Sequence, residues 1–249
     1  MKLNKRYKVL AMGLTIALTL GSMVGCSSNK TAENTTVGYQ DIDAAKTEEL
    51  VADQKNTLVI DVRGTEAYDK GHLEYAINIP FDEFESRLDE LKGYEDQNII
   101  LICNTGNKSG KAGQILADNG FKKVYNAQDG MDEHKYATVT YDTLTGGEFE
   151  KMASEDTNAV VVDTRDAKDY EGSHIENAIN IPIDEFEAKY NELDKDKDIL
   201  IYCNSGRTSA QAANILTKNG YKHVYNSADG VKEFDFKLVI GCWITNFYK

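Results

Sequence analysis

The sequence predicts an α/β protein made of two consecutive units, each a small parallel sheet with helices on both faces. Three observations predict it. The chain repeats itself at a spacing of 102 residues that shortens to 100. Each copy alternates short branched apolar runs with stretches of helical spacing. Each copy also sends a central apolar run directly into a cysteine loop that opens a helix.

The repeat is explicit in the residues. Tyr39 aligns with Tyr141 and Asp61 with Asp163, and the segment His72 to Pro80 matches His174 to Pro182. Asp82-Glu83-Phe84-Glu85 matches Asp184-Glu185-Phe186-Glu187. After a two-residue deletion, Cys103, Gly106 and Ser109 match Cys203, Gly206 and Ser209. Val124-Tyr125-Asn126 and Asp129-Gly130 then match Val224-Tyr225-Asn226 and Asp229-Gly230. A period near 100 residues is too long for a solenoid and marks duplicated domains. The boundaries follow: a first domain over 37–138, a second over 139–239, and a C-terminal tail over 240–249.

Within each copy the elements read in order. Leu58 to Ile60 and Val160 to Val162 are buried strands, and Ile77 to Ile79 is a second strand closed by Pro80. Phe81, Phe84, Leu88 and Leu91 have helical spacing. Ile99 to Ile102 and Ile199 to Tyr202 are central strands. A helix follows each cysteine loop, with Ala112, Ile115 and Leu116 on one face, matched by Ala212, Ile215 and Leu216. Gly120 and Gly220 stop these helices, and Lys123 to Tyr125 is a last strand. The βαβ rhythm requires a parallel sheet covered on both sides.

The first residues are of another kind. Lys2, Lys5, Arg6 and Lys8 precede an apolar run from Val9 to Leu20, and Met23-Val24-Gly25-Cys26 resembles a bacterial lipobox with Met where a branched aliphatic is usual. Residues 1–25 thus read as a lipoprotein signal, with Cys26 the lipidated residue and a polar tether over 26–36. This implies a lipid-anchored protein on the extracytoplasmic face of a cell membrane. The net charge of −13 becomes −17 once the four basic residues of 1–25 are removed. Such a charge argues against nucleic acid as a partner.

There are four cysteines, Cys26, Cys103, Cys203 and Cys242, spaced unlike a disulfide framework. Cys242 lies in an apolar tail without a counterpart and reads as packing or a stray thiol. Loop one runs Cys103-Asn104-Thr105-Gly106-Asn107-Lys108-Ser109, and loop two Cys203-Asn204-Ser205-Gly206-Arg207-Thr208-Ser209. A loop between a parallel strand and a helix lies at the carboxyl edge, where ligands bind. Its successive N–H groups and the helix N-terminus stabilise an anion, and a thiolate is one. Gly106 and Gly206 let the loop close on the sulfur. Lys108 and Arg207 bring positive charge nearby.

The loops, with Asp61-Val62-Arg63, Asp163-Thr164-Arg165 and the two His-x-x-x-Ala-Ile-Asn-Ile-Pro segments, resemble the rhodanese (sulfurtransferase) family over residues 37–137 and 139–239. The resemblance implies two tandem rhodanese-like domains. It makes Cys103 and Cys203 sulfur carriers that pass a persulfide sulfur from a small-molecule donor to a thiol or cyanide acceptor. The following six residues of each loop are then the binding cradle. No metal or cofactor is implied. Asn104 and Asn204 stand where many family members have Arg, and Asp-Gly stands where the family often shows Gly-Gly, adding an acid at one edge of the site. Both copies keep the cysteine, whereas tandem members often keep only the C-terminal one. Loop two is nearer the family pattern, so Cys203 is expected to carry more of the activity.

Asp61, Arg63, Asp163 and Arg165 are expected to brace the domains through carboxylate–guanidinium pairs. His72 and His174 read as structural. Three other functions compete: a non-catalytic sensor or binding module, a thiol redox protein, and a cysteine phosphatase. Phosphatase loops carry Arg six residues after the cysteine, where this chain has Ser109 and Ser209.

Overall fold

The computed structural model describes residues 38–240, so the signal, the tether with Cys26, and Cys242 lie outside the described residues. The first domain runs β1 (Gln40–Ile42), α1 (Ala44–Ala52), β2 (Thr57–Asp61), α2 (Thr65–Asp69), β3 (Ala76–Asn78), β4 (Asn98–Ile102), α3 (Asn107–Asp118), β5 (Lys123–Ala127) and α4 (Gly130–Glu133). The second runs β6 (Asp142–Leu144), α5 (Gly146–Glu155), β7 (Ala159–Asp163), α6 (Ala167–Gly172), β8 (Ser173–Ile175), β9 (Ile179–Asn180), α7 (Ile183–Lys189), β10 (Asp198–Tyr202), α8 (Arg207–Lys218), β11 (Val224–Ser227) and β12 (Leu238–Ile240).

Each domain holds a five-stranded sheet, ordered β1-β5-β4-β2-β3 and β6-β11-β10-β7-β9, with every pairing parallel. The two-residue pleat sorts the strand residues between two cores. In the first domain Leu58, Ile60, Ile99 and Leu101 face α3, packing on Ala112 and Leu116. Val59, Ile100 and Ile102 face the other way, onto Ala44 and Tyr68. The second domain repeats this, with Val162, Ile199 and Ile201 on Ala212 and Leu216, and Val161, Leu200 and Tyr202 on Phe149. Both faces are therefore covered, as the continuous apolar runs require.

One predicted helix differs. Phe84–Leu91 forms a 3₁₀ helix, whereas the equivalent stretch in the second domain starts as α7 and ends as 3₁₀. In the 3₁₀ stretch the Ser86 hydroxyl donates to the Glu83 carbonyl at 2.7 Å, where the second copy has Ala188.

The domains join through backbone and aromatic contacts. His72 and Val139 exchange backbone hydrogen bonds of 3.1 and 3.0 Å in an antiparallel bridge. The second domain repeats that closure as the antiparallel β8–β12 pair. The buried Tyr68 hydroxyl donates to Ala76 O at 2.6 Å and accepts from Thr143 N at 3.2 Å, linking β3 to β6.

Candidate active site

Each cysteine follows the last residue of the central strand, β4 or β10, and precedes α3 or α8. Gly106 and Gly206 are the N-caps of those helices, with φ of 76° and 73°. A side chain at Gly106 would overlap the Gln128 carbonyl, and one at Gly206 the Ala228 carbonyl. The left-handed conformation and the close approach together demand glycine. Gly130 and Gly230 lie against the Asn104 and Asn204 peptides for the same steric reason. Beside them, Met131 N and Asp132 N donate to Cys103 O and Asn104 O at 2.9 and 3.0 Å. Val231 N and Lys232 N hold Cys203 O and Asn204 O at 3.1 and 3.3 Å. The base of each loop is thus fixed by the segment after the last parallel strand.

The cradles form around the sulfurs. Ser109 donates to Cys103 Sγ from its hydroxyl at 3.2 Å and its N–H at 3.4 Å. Ser209 Oγ donates to Cys203 Sγ at 3.4 Å and Ser205 N at 3.5 Å. Cys103 and Cys203 are both buried free thiols. Burial works against the Cys103 thiolate. The Ser109 hydroxyl and the N–H groups of Ser109, Thr105 and Lys108 outweigh it and hold the thiol below its ordinary pKa.

The remaining loop residues divide clearly. Asn104, Thr105, Asn107 and Lys108 are exposed, and Gly106 and Ser109 are buried. Asn107 Nδ2 reaches Thr105 Oγ1 at 3.0 Å, and Lys108 Nζ stands 3.6 Å from Asp82. In loop two Asn204 Nδ2 donates to Asp169 Oδ2 at 3.2 Å, and Thr208 Oγ1 lies 3.2 Å from Thr164 Oγ1. Ser205 is half-buried and Arg207 exposed. The cation on Lys108 is therefore shared with an acid outside the cradle.

Each Asp-x-Arg segment closes into an ion pair. Arg63 clasps the buried Asp61 through Nε and Nη2 at 2.9 and 2.6 Å and donates to Gly71 O at 2.8 Å. Arg165 does the same with Asp163 and Ser173 O, at 3.0, 2.6 and 2.6 Å. His72 and His174 stack on Tyr68 and Tyr170, and each ring Nδ1 meets a backbone carbonyl. Burial lowers the His72 pKa, favouring the neutral ring.

The acid expected at the edge of each site does something else. Asp129 Oδ2 accepts from Ala44 N at 2.8 Å, and Asp229 Oδ2 accepts from Gly146 N at 2.8 Å. Each carboxylate satisfies the first amide of the first helix of its own domain. Asp229 also accepts a short hydrogen bond from the Tyr94 hydroxyl of the first domain. These acids tie the fold together.

Gln54, Tyr75 and Tyr94 of the first domain also reach the second and escape sequence reading. The Gln54 side chain donates to Ser205 O at 2.6 Å and Ala228 O at 3.2 Å. The Tyr75 ring packs on the core of the second domain. Its hydroxyl is raised in pKa by burial and then by Glu74, with Arg207 opposing and Cys203 adding to the rise. Only Tyr75 left a trace, as a mismatch with Asn177 inside the best-matched stretch of the repeat.

Comparison with known proteins agrees with this architecture. The family model for the Rhodanese-like domain matches twice, at residues 43–137 and 145–237. The Bacillus subtilis (strain 168) protein named "Putative sulfur carrier protein YrkF" is 35% identical over 89 residues, which are 36% of this chain and 48% of that protein. The tRNA uridine(34) hydroxylase of Photorhabdus laumondii is 36% identical over 86 residues, 33% of this chain and 24% of that protein. The chain thus spans about half of the first relative and a quarter of the second. Among solved structures, thiosulfate sulfurtransferase from Pseudomonas aeruginosa superposes with a TM-score of 0.37 at 16% identity, over 82% of this chain and 44% of that one. With a parallel sheet, a buried cysteine and a donor-lined loop in each half, and a family match over each half, this chain belongs to the rhodanese-like domain family as a tandem pair.

Proposed function

We propose that the protein is a sulfurtransferase in which Cys103 and Cys203 carry sulfane sulfur as persulfides. One observation carries this reading. The same sulfur-centred cradle is built twice, and in both copies the serine six residues after the cysteine donates its hydroxyl to the sulfur. Family membership and the sulfur-carrier name of one relative support it.

The chemistry follows from the cradle. A cysteine thiolate attacks the outer sulfur of a donor such as thiosulfate. The donor S–S bond breaks, sulfite leaves with the electron pair, and a Cys–S–S⁻ persulfide remains. A thiolate or cyanide acceptor then attacks the outer sulfur, and the cysteine thiolate leaves. Negative charge sits near the loop in every state, so the same N–H and hydroxyl donors serve throughout. Phosphoryl transfer fits less well. The sixth position is a buried serine turned onto the sulfur, with no guanidinium to clamp a phosphate.

The sequence of residues 2–26 supports an exported protein anchored through lipid on Cys26, with both thiols on the outer face of a cell membrane. No helix among the described residues is long and apolar enough to cross a membrane. The acidic surface favours small-molecule partners over nucleic acid. Thiocyanate formation from thiosulfate and cyanide, in the intact chain and in Cys103→Ser and Cys203→Ser, tests the function. The larger loss is expected in Cys203→Ser. Thiocyanate release that survives the double variant would end the proposal.

A further inference from the structure

The two cradles are alike in sequence but not in support. Loop one borders an open cleft of about 520 Å³, lined by Tyr39, Thr105, Gly106, Asn126 and Gln128, all of its own domain. Loop two is covered by the first domain. Gln54 is buried, and its amide nitrogen would lie 2.9 Å from a side chain at Gly206. It holds the Ser205 carbonyl at 2.6 Å and the Ala228 carbonyl behind it at 3.2 Å. The repeat supplies no reciprocal brace. At the offset of 102 the second domain has Asp156, a C-cap of α5 whose carboxylate cannot donate.

A trans peptide points its C=O and its N–H in opposite directions. Fixing the Ser205 carbonyl on Gln54 therefore turns the Gly206 N–H away from Gln54, in a loop whose preceding N–H, that of Ser205, donates to Cys203 Sγ at 3.5 Å. Tyr75 adds to the picture. It holds a left-handed φ of 66°, a conformation costly for a bulky side chain and tolerated by the Asn177 of the second copy. Its ring packs against the second domain, within electrostatic reach of Cys203.

We propose that Gln54 of the first domain is a positioning residue for the second site, orienting the Ser205–Gly206 peptide so that its N–H serves the anionic sulfur of Cys203. This deepens the sulfurtransferase reading and rests on it for its purpose, but the geometry is testable without sulfur transfer. Cys103 is the internal control, because it sits in the same molecule in a cradle that Gln54 does not touch.

The experiment is site-resolved alkylation of the full chain by iodoacetamide, followed by peptide mass spectrometry across a range of pH. Gln54→Met keeps the volume and removes the donor, and Gln54→Glu replaces the donor with an acceptor facing two carbonyls. Both should slow alkylation of Cys203 relative to Cys103 by about fivefold at neutral pH, the size expected of one lost hydrogen bond. The pH–rate profile of Cys203 should move to higher pH while that of Cys103 stays in place. Equal ratios in wild type and both variants would overturn the proposal, whether or not the protein transfers sulfur. Failure to transfer sulfur with the ratio changed would instead refute the function and leave the brace standing.

Discussion

Removing the Ser109 hydroxyl should change the reactivity of Cys103 in opposite directions at the two ends of the pH scale. The hydroxyl lies 3.2 Å from Sγ, and the Ser109 N–H, at 3.4 Å, remains after Ser109→Ala. A hydrogen bond to a charged group is worth about 1.5–3 kcal/mol. The long reach to sulfur places this one near the bottom of that range. About 1.4 kcal/mol corresponds to one pH unit, so the thiolate fraction below the titration midpoint falls about tenfold. A more basic thiolate is also a better nucleophile, with a Brønsted slope of roughly 0.4–0.5, which returns about threefold. The net expectation is alkylation about three- to fourfold slower at pH well below the midpoint and about threefold faster on the alkaline plateau. The assay is the site-resolved pH–rate profile with iodoacetamide, and Cys203 should not respond. A profile for Cys103 that does not cross the wild-type curve would refute the claim that the hydroxyl stabilises the thiolate.

Gly106→Ala forces a side chain into the left-handed region and onto the Gln128 carbonyl, so it should destabilise the protein by more than about 2 kcal/mol in urea unfolding; a loss below about 0.5 kcal/mol would contradict the steric account. Tyr94→Phe removes a donor from the buried Asp229 and should cost about 1–3 kcal/mol, read as a lower unfolding midpoint with the Cys103 profile unchanged. Asp142, where the domains meet, is pushed up to about 6 by burial and then by Asp69, with His223 opposing. The folded chain therefore binds more protons than the unfolded chain between about pH 4 and 6, and stability falls as pH rises through that window. Asp142→Asn should stabilise the protein relative to wild type at pH 8 more than at pH 4, by about 1–2 kcal/mol after allowance for solvent screening, read in urea unfolding at the two pH values. Identical pH dependence in the two proteins would show that Asp142 does not carry the effect.

Much of the fold was legible because burial on both faces leaves a plain mark. Ile99 to Ile102 and Val160 to Val162 are uninterrupted branched runs, and the duplication doubled each signal. The short edge strands β1 and β6 and the helices α1 and α5 were not assigned from the sequence. Three residues such as Gln40–Ile42 are too few to show a period, and their pairing with β5 is non-local. The cysteine loops and the Asp–Arg braces were legible because the residues that define each lie close together in sequence. The roles of Asp129 and Asp229 were not. A carboxylate that caps a helix 85 or 83 residues away reads in sequence as an acid beside the site. Gln54 is likewise silent in sequence, since its meaning lies in the carbonyl of Ser205, 151 residues on.

The proposed sulfur-carrier role is tested most directly by intact mass. The chain, freshly reduced and freed of reductant, is incubated with thiosulfate or a thiol-based sulfane donor and weighed, then digested to locate the adduct. A gain of about 32 Da on Cys203 or Cys103, reversed by cyanide or a thiol, is the predicted result. No gain with either donor, while both thiols remain open to alkylation, would contradict it.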